Sequence, residues 1–441
     1  MRAVSPRPGV SPWGRYWAGA LGGFLGLALL KFGNPVILDR KIVAPKEGIE
    51  FILLVWPVAW GYGLLAVVAL LSIPIWRWRN HAPKWALALP LVWLAWQGFS
   101  AIGSVDFPLS KLTLLHFASC AVCFYLGLFA LAQVDQMGWF WTGLAAGFVA
   151  VVAVGWEQHF GGLEETRRFF YELPNWRDYP PEFLKKISSN RIYATLFYPN
   201  TLAGVLILLL PMVMAVIWET ADRGSAWLRA VLVGVVGVVA LGCLYWSGSK
   251  AGWLIMLAMG LAIFLRLPVR RSFRMAAVAL VLAGGLAGFF ARHAGYFERG
   301  ATSVSARFDY WRAAGQLTKE HPLLGSGPGT FSIGYKRLKP PEAEMARLAH
   351  NDYLEQAADS GIPGATLYFA LIVGSLAALY PRPAGNRWLP FCCWLGVAGL
   401  AAQSIVEFPI YIPALAWPMF LFLGWLWGSV VVANPSSQPE A

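Results

Sequence analysis

Thr195-Leu-Phe-Tyr-Pro-Asn-Thr-Leu-Ala-Gly-Val-Leu-Ile-Leu-Leu-Leu-Pro-Met-Val-Met-Ala-Val-Ile-Trp218 decides the fold class, because no charged side chain stands between Arg191 and Glu219. A helix crosses the hydrocarbon core of a bilayer with about 20 apolar residues. Inside lipid the backbone has to satisfy its own polar groups, which a helix does within one segment. Comparable runs recur at 13–30, 51–75, 84–101, 108–132, 138–157, 228–246, 251–265, 273–291, 364–380, 388–406 and 412–433. Together they predict an all-α polytopic membrane protein with about 12 transmembrane helices, 251–265 being the least secure by length.

Composition agrees. The chain has 441 residues, 58% of them hydrophobic and only 13% charged, against about 45–50% and about 25% in soluble domains. Mean hydropathy is +0.55. Several of the 23 Trp stand at the ends of apolar runs, as in an interfacial aromatic belt. The net charge of +12 is scattered among loops, without the basic face or motif that nucleic-acid binding needs. All five Cys fall inside apolar runs. Cys120-x-x-Cys123 lacks a second ligand pair at zinc-like spacing, so these thiols read as small buried hydrophobes. The first run follows Arg2, Arg7 and Arg15 and could pass for a signal peptide. It is followed by Leu29-Leu-Lys-Phe32 rather than a small-x-small site, which predicts an uncleaved first helix.

Basic residues set the orientation. Connections on the amino-terminal side carry Arg2, Arg7, Arg15, Arg77, Arg79, Lys84, Arg223, Arg229, Arg266, Arg270, Arg271, Arg274, Arg382 and Arg387. Short connections on the other side carry only Lys31, Arg40, Lys41, Lys46, Lys111 and Lys250. Positive charge is retained in the cytoplasm, so both termini are predicted there. Residues 1–441 then form one integral membrane domain with a flexible cytoplasmic tail at 434–441. Its two long loops, 158–194 and 292–363, both lie outside and carry short amphipathic helices. No internal repeat of the kind that marks many transporters is visible.

Five stretches could carry chemistry. The first is Leu348-Ala-His-Asn-Asp-Tyr-Leu-Glu-Gln-Ala-Ala-Asp-Ser-Gly-Ile-Pro-Gly364. Asn351 or Asp352 can cap a helix, Asp352 and Glu355 have capping-box spacing, and Gly361 with Pro363 is a stop signal. Leu354, Ala357 and Ala358 form the predicted apolar stripe. His350 falls just before the positive helix end, which favours a neutral imidazole able to accept a proton; a surface helix with a flanking His fits the spacing as well. The second, Ser189 to Gly204, holds Arg191 at a membrane boundary, to anchor at headgroups or fork onto a phosphate, and Asn200 as a possible cap. The third, Ser247-Gly-Ser-Lys250, joins two spans by a tight turn. It reads either as an anion site at a helix amino end or as a turn with a snorkelling Lys. The fourth, Ser303 to Phe331, carries Arg307, Tyr310 and Trp311 on an amphipathic helix, then His321 and a Gly325-x-Gly-x-Gly329 turn. With no strand before it, that turn reads as a close-packing backbone rather than a nucleotide loop. The fifth, Gln403 to Pro413, places Glu407 at the outer end of a span. It is either solvated in the interface or set to orient His350. Glu342 and Glu344 with His293 and His321 could in principle hold a divalent ion, but the many nearby cations can neutralise a phosphate themselves, so no metal is assigned.

In order and wording these stretches resemble the O-antigen ligase and polymerase superfamily of bacterial envelope glycan enzymes. The match covers Arg191-x-x-Ala-Thr-x-x-x-Pro-Asn-x-Leu-Ala203, Ser247-Gly-Ser-Lys250, Arg307 to Phe331, His350-Asn-Asp-Tyr-Leu with Gly361-Ile-Pro-Gly364, and Ser404-Ile-Val-Glu-Phe-Pro409. Lys250 stands where the family more often has Arg, and Glu407 where Asp is common.

The resemblance implies a multi-pass protein of the bacterial inner membrane with a periplasmic active site. It implies an O-antigen ligase that moves polysaccharide from an undecaprenyl pyrophosphate donor to lipid A–core oligosaccharide, with no cofactor and no nucleic-acid partner. Polymerisation with the same donor is the alternative within the family, and a lipid-linked glycan transporter the alternative outside it. Carried onto this chain, the resemblance gives His350 as general base and Glu407 as its orienter. Arg191, Lys250 and Arg307 become the pyrophosphate clamp, and Asn351, Asn200, Trp311 and His321 supporting residues.

Overall fold

A computed structural model describes residues 12–78, 82–179, 184, 187–220, 225–267, 269–298, 302–380 and 388–429. The basic residues Arg2, Arg7, Arg79, Arg223, Arg382 and Arg387, and the tail 434–441, lie outside the described residues. Among the described residues the chain is helical throughout, with no strand. The main helices are α1 (Trp13–Lys31), α2 (Val58–Leu71), α3 (Lys84–Ile102), α4 (Phe107–Phe129), α5 (Gly138–Glu157), α6 (Pro199–Thr220) and α7 (Ala226–Ser247). They continue with α8 (Lys250–Arg266), α9 (Arg271–Glu298), α10 (Thr302–Glu320), α11 (Phe331–Leu338), α12 (Asp352–Phe369), α13 (Trp388–Gln403) and α14 (Pro413–Ser429).

Eight helical stretches among the described residues are long and apolar enough to cross a membrane, fewer than the twelve predicted. The other four predicted runs are helical too, as α1, α8, α13 and α14. Among the described residues the last three span 16 or 17 positions, about 25 Å of helix against a hydrocarbon core of about 30 Å.

α14 is the centre. It is apolar all round, and from Pro413 to Trp427 every side chain is buried, as expected of a helix enclosed on all sides. α4 and α1 pack against it, and α5 packs on α1. The α1–α5 contact uses Gly22-x3-Gly26 against Gly143-x3-Gly147. A Cβ at any of these four would fall 2.1 to 2.5 Å from the facing backbone, so only glycine permits this approach. α7 and α9 lie at the periphery and expose Val235, Val238 and Leu280, the side a lipid-facing helix shows.

The stretch read as a short outer helix is the beginning of α12. Gly361, at φ 70°, breaks the helical path, yet the chain resumes its helix at once. The break predicted at Gly361–Pro363 is therefore a kink between two stacked segments. The predicted apolar stripe holds in part: Ala358 is buried with Leu354 packed beside it, Ala357 is only partly buried, and the more deeply enclosed face carries Asp352, Glu355, Gln356, Asp359 and Ser360. The physical reason is the surroundings. Turns packed against this face present backbone N–H groups that need acceptors away from water. Gly329 N–H donates to Asp359 Oδ2 (2.6 Å) and Ile410 N–H to Asp352 Oδ2 (3.2 Å). The capping box is likewise not formed by Asp352 and Glu355, because Asn351 is the cap.

Candidate active site

The amino ends of α6, α8, α12 and α14 are brought together at one end of the bundle, where α10 and the link 404–412 cover them. At the head of α12, Asn351 Oδ1 accepts the Leu354 N–H at 3.0 Å. His350, just before it, holds φ 51°, an uncommon conformation for a residue with a Cβ. Its ring lies between Tyr310 (centroids 5.7 Å apart, planes at 29°) and Phe408 (4.7 Å, 74°). Trp311 Nε1 donates to the His350 carbonyl at 3.4 Å.

His350 Nδ1 is 3.1 Å from Glu407 Oε2. An ionised carboxylate only accepts, so this contact puts the neutral ring's proton on Nδ1 and leaves a lone pair on Nε2. Glu407 is buried, and its Oε1 accepts from Arg307 Nη2 and from Asn200 Nδ2 (2.5 Å). Burial alone would push the Glu407 carboxyl up. The charge and hydrogen bond of His350, joined by those of Arg307, outweigh it and hold the group below the ordinary carboxylate range.

The network continues outward. Arg307 Nε donates to Val406 O (2.9 Å) and Nη1 to Ser303 O (3.1 Å). Asn200 Oδ1 accepts from Arg191 Nη2 at 2.9 Å, and Arg191 Nε donates to Ser247 O at 2.6 Å. Asn200 is therefore a bridge between a cation and the carboxylate, not a helix cap. In the turn before α8, Ser249 Oγ accepts the Gly252 N–H (3.3 Å). Gly248 has φ 61°, and a Cβ there would come 3.2 Å from Arg191 Nε, so the left-handed turn and the seat of Arg191 both call for glycine.

Cations outnumber carboxylates here. Burial lowers the Arg191 pKa, Glu407 opposes that, and Arg307 adds to it. Lys250, ahead of the apolar run 251–265, is lowered to about 8 by burial and by Arg191, Arg307 and Arg292. Beside this turn opens an apolar cavity of about 530 Å³ between α6, α7, α8 and α9, lined by Leu210, Leu241, Tyr245, Trp253 and Met256 among others. Arg292 lies over the ring of Tyr245, a residue of the cavity lining, 4.9 Å from its centroid.

Of the predicted site residues, His350, Glu407, Arg307, Arg191, Asn200, Asn351 and Trp311 are joined by direct contacts or adjacency, and Lys250 lies within their electrostatic reach. His321 is not among them. It is exposed at the far end of α10, about 20 Å along the axis from Arg307 at 1.5 Å per residue. Arg292 was missed, although a cation at the first position after an apolar run was a usable signal. Among the described residues no group of three or more His, Cys, Asp or Glu is arranged to hold a metal ion, so Glu342, Glu344, His293 and His321 do not assemble as ligands. The Gly325–Gly329 turn is close-packed: a Cβ at Gly325 would lie 2.3 Å from the backbone of Asp359.

No curated protein matches the chain. Residues 235–369 match the family model described as O-Antigen ligase. The matched segment runs from α7 past Lys250 and Arg307 to His350 and α12, and leaves Arg191 and Glu407 outside it. Through that segment, this all-helical chain with its apolar membrane-length helices is similar to the O-antigen ligase family.

Proposed function

We propose that the protein is an inverting glycosyltransferase of the bacterial inner membrane that transfers O-antigen polysaccharide from undecaprenyl pyrophosphate to lipid A–core oligosaccharide on the periplasmic side. The observation that carries this is the His350–Glu407 pair at 3.1 Å, set beside a cation cluster that adjoins an apolar cavity. The cavity takes the head-proximal part of the polyprenyl chain. Lys250 and Arg292 meet the pyrophosphate beside it, with Arg191 and Arg307 behind them. These cations stabilise the charge that grows on the leaving group, so that no metal is required.

The chemistry is a single displacement. An acceptor hydroxyl attacks the anomeric carbon from the face opposite the pyrophosphate. Its proton passes to His350 Nε2, the new C–O bond forms, and the old C–O bond breaks with its electron pair going to undecaprenyl pyrophosphate. Glu407 holds the ring in the tautomer that can accept and stabilises the imidazolium that results.

Purified protein given polyprenyl-pyrophosphate glycan and lipid A–core is expected to form the joined lipopolysaccharide. A deletion strain is expected to lose every long-chain lipopolysaccharide band while keeping polymerised precursor. A single-repeat band in that strain would instead mark a polymerase, and unchanged covalent linkage in vitro a transporter.

Lys250 gives a pH signature. Its ammonium is present below about pH 8 and lost above it. The kcat/KM for the donor, which reports the free enzyme, is expected to fall as pH rises through 8. In Lys250→Arg the guanidinium stays charged, and the fall is expected to move to higher pH. An identical alkaline limb in both proteins would remove Lys250 from the clamp.

A further inference from the structure

We propose that Glu355 is a positioning residue for His350, acting through the backbone of Ala349. Glu355 is fully buried on the inward face of α12, one turn in from the cap. Its Oε2 accepts the N–H of Ala349, the residue immediately before the base, at 2.7 Å. Across the same turn, Asp352 N–H donates to Ser404 O (2.8 Å), and Asp352 Oδ2 accepts from Ile410 N–H (3.2 Å). The first turn of α12 thus grips two segments at once, one ending in His350 and the other containing Glu407.

This grip matters because the His350 backbone is in a conformation it would not choose. A residue with a Cβ at φ 51° relaxes to negative φ unless its neighbours hold it. Asn351 is fixed on one side by its cap bond, and Ala349 on the other side by Glu355. Releasing Ala349 frees φ at His350, and the ring then leaves the 3.1 Å contact with Glu407. A displacement of about 1 Å in a reacting group can cost on the order of 10²-fold in rate. The cations that meet the donor stand on other elements and do not move with Ala349.

What Glu355 supplies is an acceptor oxygen at a fixed reach, not a charge. Its other oxygen, Oε1, has no hydrogen-bond partner among the described residues. Glu355→Gln keeps the acceptor at the same reach, whereas Glu355→Asp keeps the charge and withdraws the oxygen by about 1.5 Å, one C–C bond. A group valued for its charge would rank Asp above Gln; a positioning oxygen ranks them the other way.

The proposal presupposes His350 as the base, and its test carries a readout independent of that. In the purified full-length protein, Glu355→Gln is expected to keep kcat within about 5-fold of wild type. Glu355→Asp is expected to lose about 10- to 100-fold in kcat, with donor KM within about 3-fold. Hydrogen exchange in a peptide covering 345–353 is expected to speed up in Glu355→Asp alone. Wild-type kcat and protection in Glu355→Asp would overturn the proposal. So would a Glu355→Gln protein that falls as far as Glu355→Asp or does not fold, since it keeps the acceptor. His350→Ala run alongside separates the two ideas. If that variant still transfers glycan, the base assignment fails, and the exchange rates alone decide the role of Glu355.

Discussion

His350→Ala is expected to reach the membrane at wild-type level and to transfer glycan about 10²- to 10⁴-fold more slowly, the contribution of a positioned general base. Folding is expected to survive because Glu407 keeps its other two partners, Arg307 and Asn200, and so is not left as a lone buried charge. Alanine also removes a side chain from a left-handed position without adding bulk. Donor binding is expected to be nearly unchanged, because the clamp cations lie on α8, α9 and α10 and on the loop before α6. The loss therefore belongs in kcat. Wild-type amounts of ligated lipopolysaccharide in a strain carrying this variant would dispose of His350 as the base.

Glu407→Gln is expected to cost nearly as much, up to the order of 10⁴-fold seen when the orienting carboxylate of a hydrolytic triad becomes an amide. Glu407 now accepts from three groups, and an amide offers one oxygen in place of two. If that oxygen stays with Arg307 and Asn200, the amide N–H₂ faces His350 Nδ1. The ring must then carry its proton on Nε2, where it cannot take one from the acceptor. His350→Ala combined with Glu407→Gln is expected to be no slower than the worse single variant, because groups that act as a unit are not additive. Multiplying losses in the double variant would show that Glu407 works apart from His350. Below the ordinary carboxylate range the wild-type protein is also expected to lose stability as Glu407 protonates. Its depressed pKa stabilises the fold above that range, and the contribution disappears as pH falls through it. Glu407→Gln is expected to flatten this acid limb of a thermal-melting profile.

The helices were legible because lipid imposes a simple rule on the backbone, and each predicted run is helical over most of its described length. The lengths were less so: α8 is a helix of 17 residues, one turn or so shorter than a full crossing. At the site, Arg191, Arg307, His350 and Glu407 were findable by their places at the ends of apolar runs. Asn200 was misread as a cap because one of its true partners, Glu407, is remote in sequence, and the other, Arg191, reaches it only once the chain turns into α6. Asp352 and Glu355 were read only as candidates for a helix cap, and Asp359 was given no role, because nothing in their spacing shows what faces them. Only the fold shows that Ala349, Gly329 and Ile410 each turn a backbone donor toward them. The three glycines at 325, 327 and 329 were the available hint, since close-packed turns leave peptide groups in search of acceptors.

The cation cluster also sets a limit on turnover. In the proposed reaction undecaprenyl pyrophosphate leaves with the same two phosphates that the donor brought, so whatever grips the substrate's head grips the spent carrier as well. Binding shared by both lowers KM without hastening departure. Each tighter contact lengthens the time the carrier stays and keeps the next donor out. A lysine at position 250 suits that compromise better than a forked guanidinium would. It presents a single point charge rather than a fork, and so holds the head firmly enough for one transfer while letting the empty carrier go.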